Sequence, residues 1–131
     1  MPKKKPKRRT LVKKLDTIFS LYIRLRDSNN EIVTCFTCNK KQHYKKFHCG
    51  HFQSRRHIST RWDEINCQVQ CAGCNTYRGG EQFIFGKNID VKYGSGTAEK
   101  LHFKSKKILK LSIKDIEELI NKYNSLVESI D

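Results

Sequence analysis

The sequence predicts an α+β domain: a small metal-pinned ββα core, with a two-stranded hairpin and four-cysteine zinc knuckles, flanked by helices. Three observations predict it. Two Cys-x-x-Cys pairs, Cys35/Cys38 and Cys71/Cys74, stand far apart, and a two-residue spacer lets both thiolates of a pair reach one Zn²⁺ at about 2.3 Å. Residues 66–70 alternate polar and apolar side chains, the period of a strand. Apolar residues recur at helical spacing over 11–25 and again over 113–130, which places a helix on each side of the cysteine-rich stretch.

A chain of 131 residues fits one domain with tails, and a metal staple adds usefully to the modest core such a domain can bury. The 27 Lys and Arg against 13 Asp and Glu give a net charge of +14, which calls for a polyanionic partner, nucleic acid first. A membrane partner is disfavoured: no lipidation signal is present, no long basic amphipathic helix carries bulky apolar anchors, and Lys13, Lys14 and Asp16 interrupt the only early apolar run. The expectation is a soluble protein of a reducing cytoplasm, the host's if it is phage-encoded. There, six cysteines are better explained as four thiolate ligands plus two spare thiols, Cys49 and Cys67, than as bridges. A redox role for either pair lacks the surrounding βαβ pattern. Both spares read as small buried residues beside the site. A closed four-thiolate site has no open coordination position, so this zinc shapes the fold and leaves the chemistry to its neighbours.

Residues 1–14 hold eight basic residues and no acidic one, too charged for a core, and read as a disordered basic arm that tracks phosphates through Lys3, Lys4, Lys5, Lys7, Arg8 and Arg9. A plain solubility tail is the bland alternative. Residues 15–131 form the single domain. Leu11, Leu15, Ile18, Phe19, Tyr22 and Leu25 predict a first helix to about Arg26, ended by Asp27-Ser28-Asn29-Asn30. Ile32, Val33 and Phe36 suggest an extended segment into the first knuckle. Residues 43–53, mixing aromatic and basic side chains, fit a strand turning into an Arg-rich loop; 66–70 is the returning strand, and the second knuckle opens a helix at about Cys74. Gly79-Gly80 interrupts before a short helix within 81–93. Thr97 is the expected cap of a helix through about Leu109. Ser112, with Asp115 three residues on, caps a last amphipathic helix over 112–130, the natural pairing surface if the chain is a homodimer.

Between the knuckles lie His51 and Asn66, with Asn75 directly after the last cysteine. An imidazole with an ordinary pKa near ~6.5 is suited to take a proton from water. The side-chain oxygen of Asn75, at a helix start facing the hairpin, suits a hard cation such as Mg²⁺ or Mn²⁺. The amide of Asn66 would hold the loop that sets the angle of His51. Singly, each has a bland reading: a packed or phosphate-contacting His, a helix-capping Asn.

Cys-x-x-Cys, Gly50-His51-Phe52, Asn66 and Gln70-Cys71-x-x-Cys74-Asn75 together resemble the zinc-containing branch of the HNH (His-Me finger) endonucleases. Gly50-His51-Phe52-Gln53-Ser54-Arg55-Arg56-His57, Arg61-Trp62-Asp63-Glu64-Ile65-Asn66 and Tyr77-Arg78-Gly79-Gly80-Glu81-Gln82 are more closely similar to the phage recombination nucleases, the group of the NinG/Rap proteins and the Ref recombination-enhancement protein. The similarity spans about residues 15–123. It implies a ββα-metal fold and metal-dependent cutting of branched, single-stranded or recombinase-bound DNA, with a RecA-type recombinase as a partner. By this likeness His51 is the general base, Asn66 the middle residue and Asn75 the ligand of the catalytic ion, Mg²⁺, Mn²⁺ or Zn²⁺. Many HNH enzymes carry a second ion ligand immediately before the base, where this chain has Gly50. Either Asn75 holds the ion largely alone, with waters and the substrate phosphate, or His48, His57 or Asp63 completes the shell. His57 is favoured because the phage group carries a His there.

Arg55, Arg56, Arg61 and Arg78 crowd the same stretch, with guanidinium forks that match phosphate oxygens. Trp62 reads as core packing against the first helix ahead of a base-stacking role. The rival reading of the whole chain is a non-catalytic zinc module that binds DNA or RNA as a recombination accessory.

Overall fold

Leu11, Leu15, Phe19 and Ile23 lie four apart, so they share one helix face, and all four are buried. They belong to α1 (Arg8–Leu25), the first element of the computed structural model, which describes residues 7–130. Residues 8–14, expected in the arm, are thus the opening turns of α1. Leu11 extends the apolar stripe by one turn, while Arg8, Arg9, Lys13 and Lys14 remain exposed on the other faces. Lys3, Lys4 and Lys5 lie outside the described residues.

The stripe packs against α5 (Ile113–Glu128), whose buried residues are Ile116 and Tyr123. Phe19 meets Tyr123 edge-on, ring centroids 4.9 Å apart, a geometry that places ring edge against ring face. Each fully buried side chain of this kind contributes roughly 1.5–3 kcal/mol. The cap of α5 forms as its sequence predicts: the Asp115 N–H donates to Ser112 Oγ at 3.0 Å and the Ser112 N–H donates to Asp115 Oδ2 at 2.9 Å. Trp62 packs on the same cluster, and its Nε1–H donates to Asp16 Oδ1 at 3.0 Å.

Two antiparallel hairpins follow α1. The first pairs β1 (Ile32–Thr34) with β2 (Lys41–His43). The second pairs β3 (Phe47–His51) with β4 (Cys67–Cys71), with Phe47 opposite Cys71 and His51 opposite Cys67. The strand expected over 43–53 is therefore split: residues 44–46 form a 3₁₀ turn, in which His43 Nδ1 accepts the Lys45 N–H. The long link from β3 to β4 contains the one-turn helix α2 (Ile58–Arg61). Arg26, at the end of α1, reaches the Glu64 and Cys67 carbonyls at 2.8 and 2.9 Å and fixes that helix to the start of β4.

The helix expected from Cys74 is a single π turn, Gly73–Tyr77. Gly79, Gly80 and Glu81 then take φ values of +60°, +86° and +50°, the left-handed region that ends a helix. Helix resumes as α3 (Gln82–Tyr93), followed by α4 (Thr97–Ser105). Gly96, at φ +88°, precedes α4; Thr97 is its first residue and its hydroxyl donates to the Gly94 carbonyl at 2.7 Å. The helix stops at Ser105, short of the expected Leu109.

Three small apolar clusters result. The first joins α1 and α5. The second surrounds the cysteines with Val33 and Phe47, and the third joins Phe85, Ile89 and Leu101 of α3 and α4. The architecture is α+β, with two short hairpins and helices around them. Among the described residues no helix is long and apolar enough to cross a membrane.

Candidate active-site cleft and metal centre

The first hairpin delivers one Cys-x-x-Cys pair, the end of β4 and the turn after it the other, and the Sγ atoms of Cys35, Cys38, Cys71 and Cys74 all lie within 4.8 Å of one another. Cys38 and Cys71 are 3.6 Å apart, against about 3.8 Å for a regular tetrahedron of ~2.3 Å Zn–S bonds. The cluster can hold a metal ion, and its surroundings suit thiolates. The Cys71 N–H donates to Cys35 Sγ at 3.3 Å, the Cys74 N–H to Cys71 Sγ at 3.4 Å and the Arg78 guanidinium to Cys74 Sγ at 3.3 Å. Although burial opposes it, hydrogen bonds from Thr37 and neighbouring backbone N–H groups lower the Cys35 thiol to about 6. Burial and the adjoining thiols push Cys38 up to about 12. A divalent cation at the centre would relieve this competition by stabilising every thiolate at once.

β3 is an edge strand, and along it runs a cleft of about 410 Å³. Asp16, Phe19, Ser20 and Arg24 of α1 form one wall; Phe47, His48, Cys49 and His51 of β3, Arg55 and Asn75 complete it. β4 contributes none of these lining residues. His51 is fixed by its Nε2, 2.9 Å from the Arg61 carbonyl. A carbonyl only accepts, so Nε2 carries the proton and Nδ1 keeps a free lone pair. Burial, aided by the charges of Arg55 and Arg61 and opposed by the Arg61 carbonyl and Asp16, lowers the imidazole below its usual value. His51 is therefore neutral near pH 7, the form a proton acceptor needs.

Asn66 is fully buried, and its side chain is spent on the loop that begins directly after His51. Its Nδ2 donates to the Gln53 carbonyl at 3.1 Å and the Thr60 carbonyl at 3.0 Å, and its Oδ1 accepts the Gln53 N–H at 2.7 Å. Thr60 adjoins Arg61, whose carbonyl holds His51, so the amide braces that acceptor one residue away. Asn75 Nδ2 donates to His48 Nδ1 at 3.1 Å, which brings a carboxamide and an imidazole together at the rim of the cleft.

A family model described as bacteriophage lambda NinG protein matches residues 2–131. The chain belongs to the NinG family. No curated protein and no solved structure matches it. The match ties the chain to a phage family associated with recombination, over a longer span than the motifs at 50–82 alone cover.

In this NinG-family chain the site residues expected from sequence divide. His51 and Asn75 line one cleft, joined by Arg55. His57, expected near the ion, instead precedes α2 and does not line the cleft; the imidazole beside Asn75 is that of His48. Asp63 is committed to the Lys104 ammonium and the Ile65 and Asn66 N–H groups. Position 50 has no room for a ligand, since a Cβ there would stand 1.9 Å from Gln70 Oε1. Arg61 is mostly buried, forks onto the Asp16 carboxylate at 3.1 and 2.5 Å and lies over the Trp62 ring. Arg78 flanks the cysteine cluster, with its side chain about half exposed at 53%. Arg56 is exposed beyond the cleft, and Lys7, Arg8 and Arg9 sit at the start of α1. Sequence reasoning missed Asp16 and Arg24. Asp16 is the only acidic residue in α1, and an isolated carboxylate in a basic helix was the available signal.

Proposed function

We propose that this protein is a metal-dependent DNA endonuclease of phage recombination that hydrolyses phosphodiesters in branched or recombinase-bound DNA. The observation that carries the reading is the fixed, neutral His51 opening on the same cleft as the His48–Asn75 pair. Nδ1 of His51 takes a proton from a water molecule as the water oxygen bonds to phosphorus. The P–O3′ bond breaks, the 3′ oxygen leaves with a proton drawn from solvent, and the product end keeps a 5′-phosphate. Asn66 acts by positioning, through the loop that presents the Arg61 carbonyl. With the Asn75 amide turned so that its oxygen replaces the Nδ2 now facing His48, the two side chains would hold a divalent cation, Mg²⁺ or Mn²⁺, which would neutralise charge on the phosphate. A Zn²⁺ held by the four cysteines would keep the turn bearing Asn75 against β3, a structural task only. Arg24 and Arg55 line the cleft and place positive charge where the DNA backbone would lie, and the net charge of +14 draws the polyanion in.

The test is incubation of the purified chain with four-way, flapped and plain duplex DNA in Mg²⁺ or Mn²⁺, with and without a RecA-type recombinase, beside His51→Ala. Cleavage that His51→Ala loses while still binding DNA supports the nuclease. Binding without cutting in every metal and recombinase condition overturns it in favour of an accessory DNA- or RNA-binding module.

A further inference from the structure

Cys49 and Cys67 read from sequence as small buried residues, and the mechanism above uses neither. Their arrangement is more specific than that. Cys49 and His51 are two apart on β3 and so project from one face of the strand, and Cys67 is the register partner of His51 on β4. The two sulfurs and a ring nitrogen of His51 all lie within 4.8 Å of one another. Cys67 is fully buried, and Cys49 and His51 are partly so and line the cleft, which gives an ion a way in. We propose that Cys49, Cys67 and His51 form a second metal site, selective for a thiophilic divalent cation such as Zn²⁺ or Cd²⁺, and that filling it removes His51 from proton transfer.

The chemistry follows from the donor set. Two thiolates and one imidazole are the soft-to-borderline ligands that favour Zn²⁺ over the hard, oxygen-seeking Mg²⁺ and Mn²⁺. Three protein ligands leave the fourth tetrahedral position to water, unlike the closed site formed by the other four cysteines. Each ion bound releases two thiol protons, so the two thiolates balance its charge. Either ring nitrogen of His51 gives the same consequence. Ligation through Nδ1 occupies the lone pair that would accept a proton. Ligation through Nε2 displaces the proton now donated to the Arg61 carbonyl and frees the ring from its brace. The site itself does not depend on the nuclease reading; only its inhibitory effect rests on it.

The experiment is metal stoichiometry on the full chain, titrated with Zn²⁺ against a chromogenic chelator and repeated with Co²⁺, whose thiolate charge-transfer band reports sulfur ligation. Wild type is expected to take two ions per chain, and Cys49→Ala and Cys49→Ser one each, with unchanged circular dichroism showing that the first ion and the fold persist. His51→Ala is expected to weaken the second ion and spare the first. A wild type that takes one ion, or a Cys49→Ala that still takes two, overturns the site. A second arm follows DNA cleavage in Mg²⁺ as Zn²⁺ is added beyond the first equivalent. Loss of cleavage in wild type, with Cys49→Ala resistant, supports the inhibitory effect; equal loss in both overturns it. Two ions with the expected Cys49 dependence but no cleavage under any condition upholds the site and overturns the nuclease reading.

Discussion

Replacing Asn66 with Ala removes three hydrogen bonds from a fully buried position: two donated to the Gln53 and Thr60 carbonyls and one accepted from the Gln53 N–H. At about 1 kcal/mol net for each bond the loss is near 3 kcal/mol, and it grows where the stranded backbone groups cannot reach water. For a domain of this size that is a large fraction of the whole, and it should lower the midpoint of thermal unfolding by roughly 10 °C. The same change loosens the loop that carries the Arg61 carbonyl, the acceptor that sets the His51 ring. Urea unfolding of the metal-loaded chain, followed by circular dichroism, measures the stability term. Cleavage by the folded fraction, with DNA affinity measured beside it, isolates the positioning term: the rate should fall while affinity holds. A variant within about 1 kcal/mol of wild type would refute the account of Asn66 as the residue that closes the loop.

Further outcomes follow from neighbouring features. Gly50→Ala sets a methyl 1.9 Å from the Oε1 of Gln70, whose Nε2 is already committed to Thr37 and the Gly80 carbonyl; a cost of about 2–4 kcal/mol is expected in urea unfolding, and a neutral result would contradict this packing. Stripping metal with a strong chelator at neutral pH should unfold the chain around both knuckles, because Cys35, Cys71 and Cys74 supply much of the buried cluster there. Survival of the native spectrum with every metal ion removed would show that the cluster does not staple the fold. Because His51 ionises below its ordinary value, the folded chain binds fewer protons there than the unfolded one. Its contribution to stability is complete above the unfolded value of about 6.5 and is lost as pH falls through the lower folded value. His51→Gln should flatten that part of the pH profile, and an unchanged slope would show that His51 is not the group responsible.

The clustering of the four cysteines, the pairing of the hairpin that carries His51 and the capping box at Ser112 could be read from local spacing, because each is a short-range pattern with one physical solution. That His48, not His57, stands beside Asn75 could not be read from spacing alone, because the contact crosses 27 positions of chain. Asp16 and Arg24 enter the cleft from a helix whose placement is set by α5, so no pattern near the knuckles announces them. The stripe could be read from Leu11 onward, but residues 8–10 ahead of it carry charge and no apolar repeat, so the first turn of α1 had no signal. The helical turn at Cys74 and its interruption at Gly79-Gly80 were legible, because two adjacent glycines mark the left-handed stop directly; that the turn would be of the π type was not.

The packing of α1 on α5 also bears on the order of assembly. During synthesis every cysteine of the knuckles has been made 42 positions before Ile116, the first buried residue of α5. Closure of the hairpins, and of the cysteine cluster if it takes a metal, can thus precede the moment when Phe19 finds Tyr123, and until then the apolar stripe of α1 has no helical partner. A nascent chain whose four-cysteine cluster stayed empty of metal would present both an unclosed knuckle and an uncovered apolar helix to its surroundings.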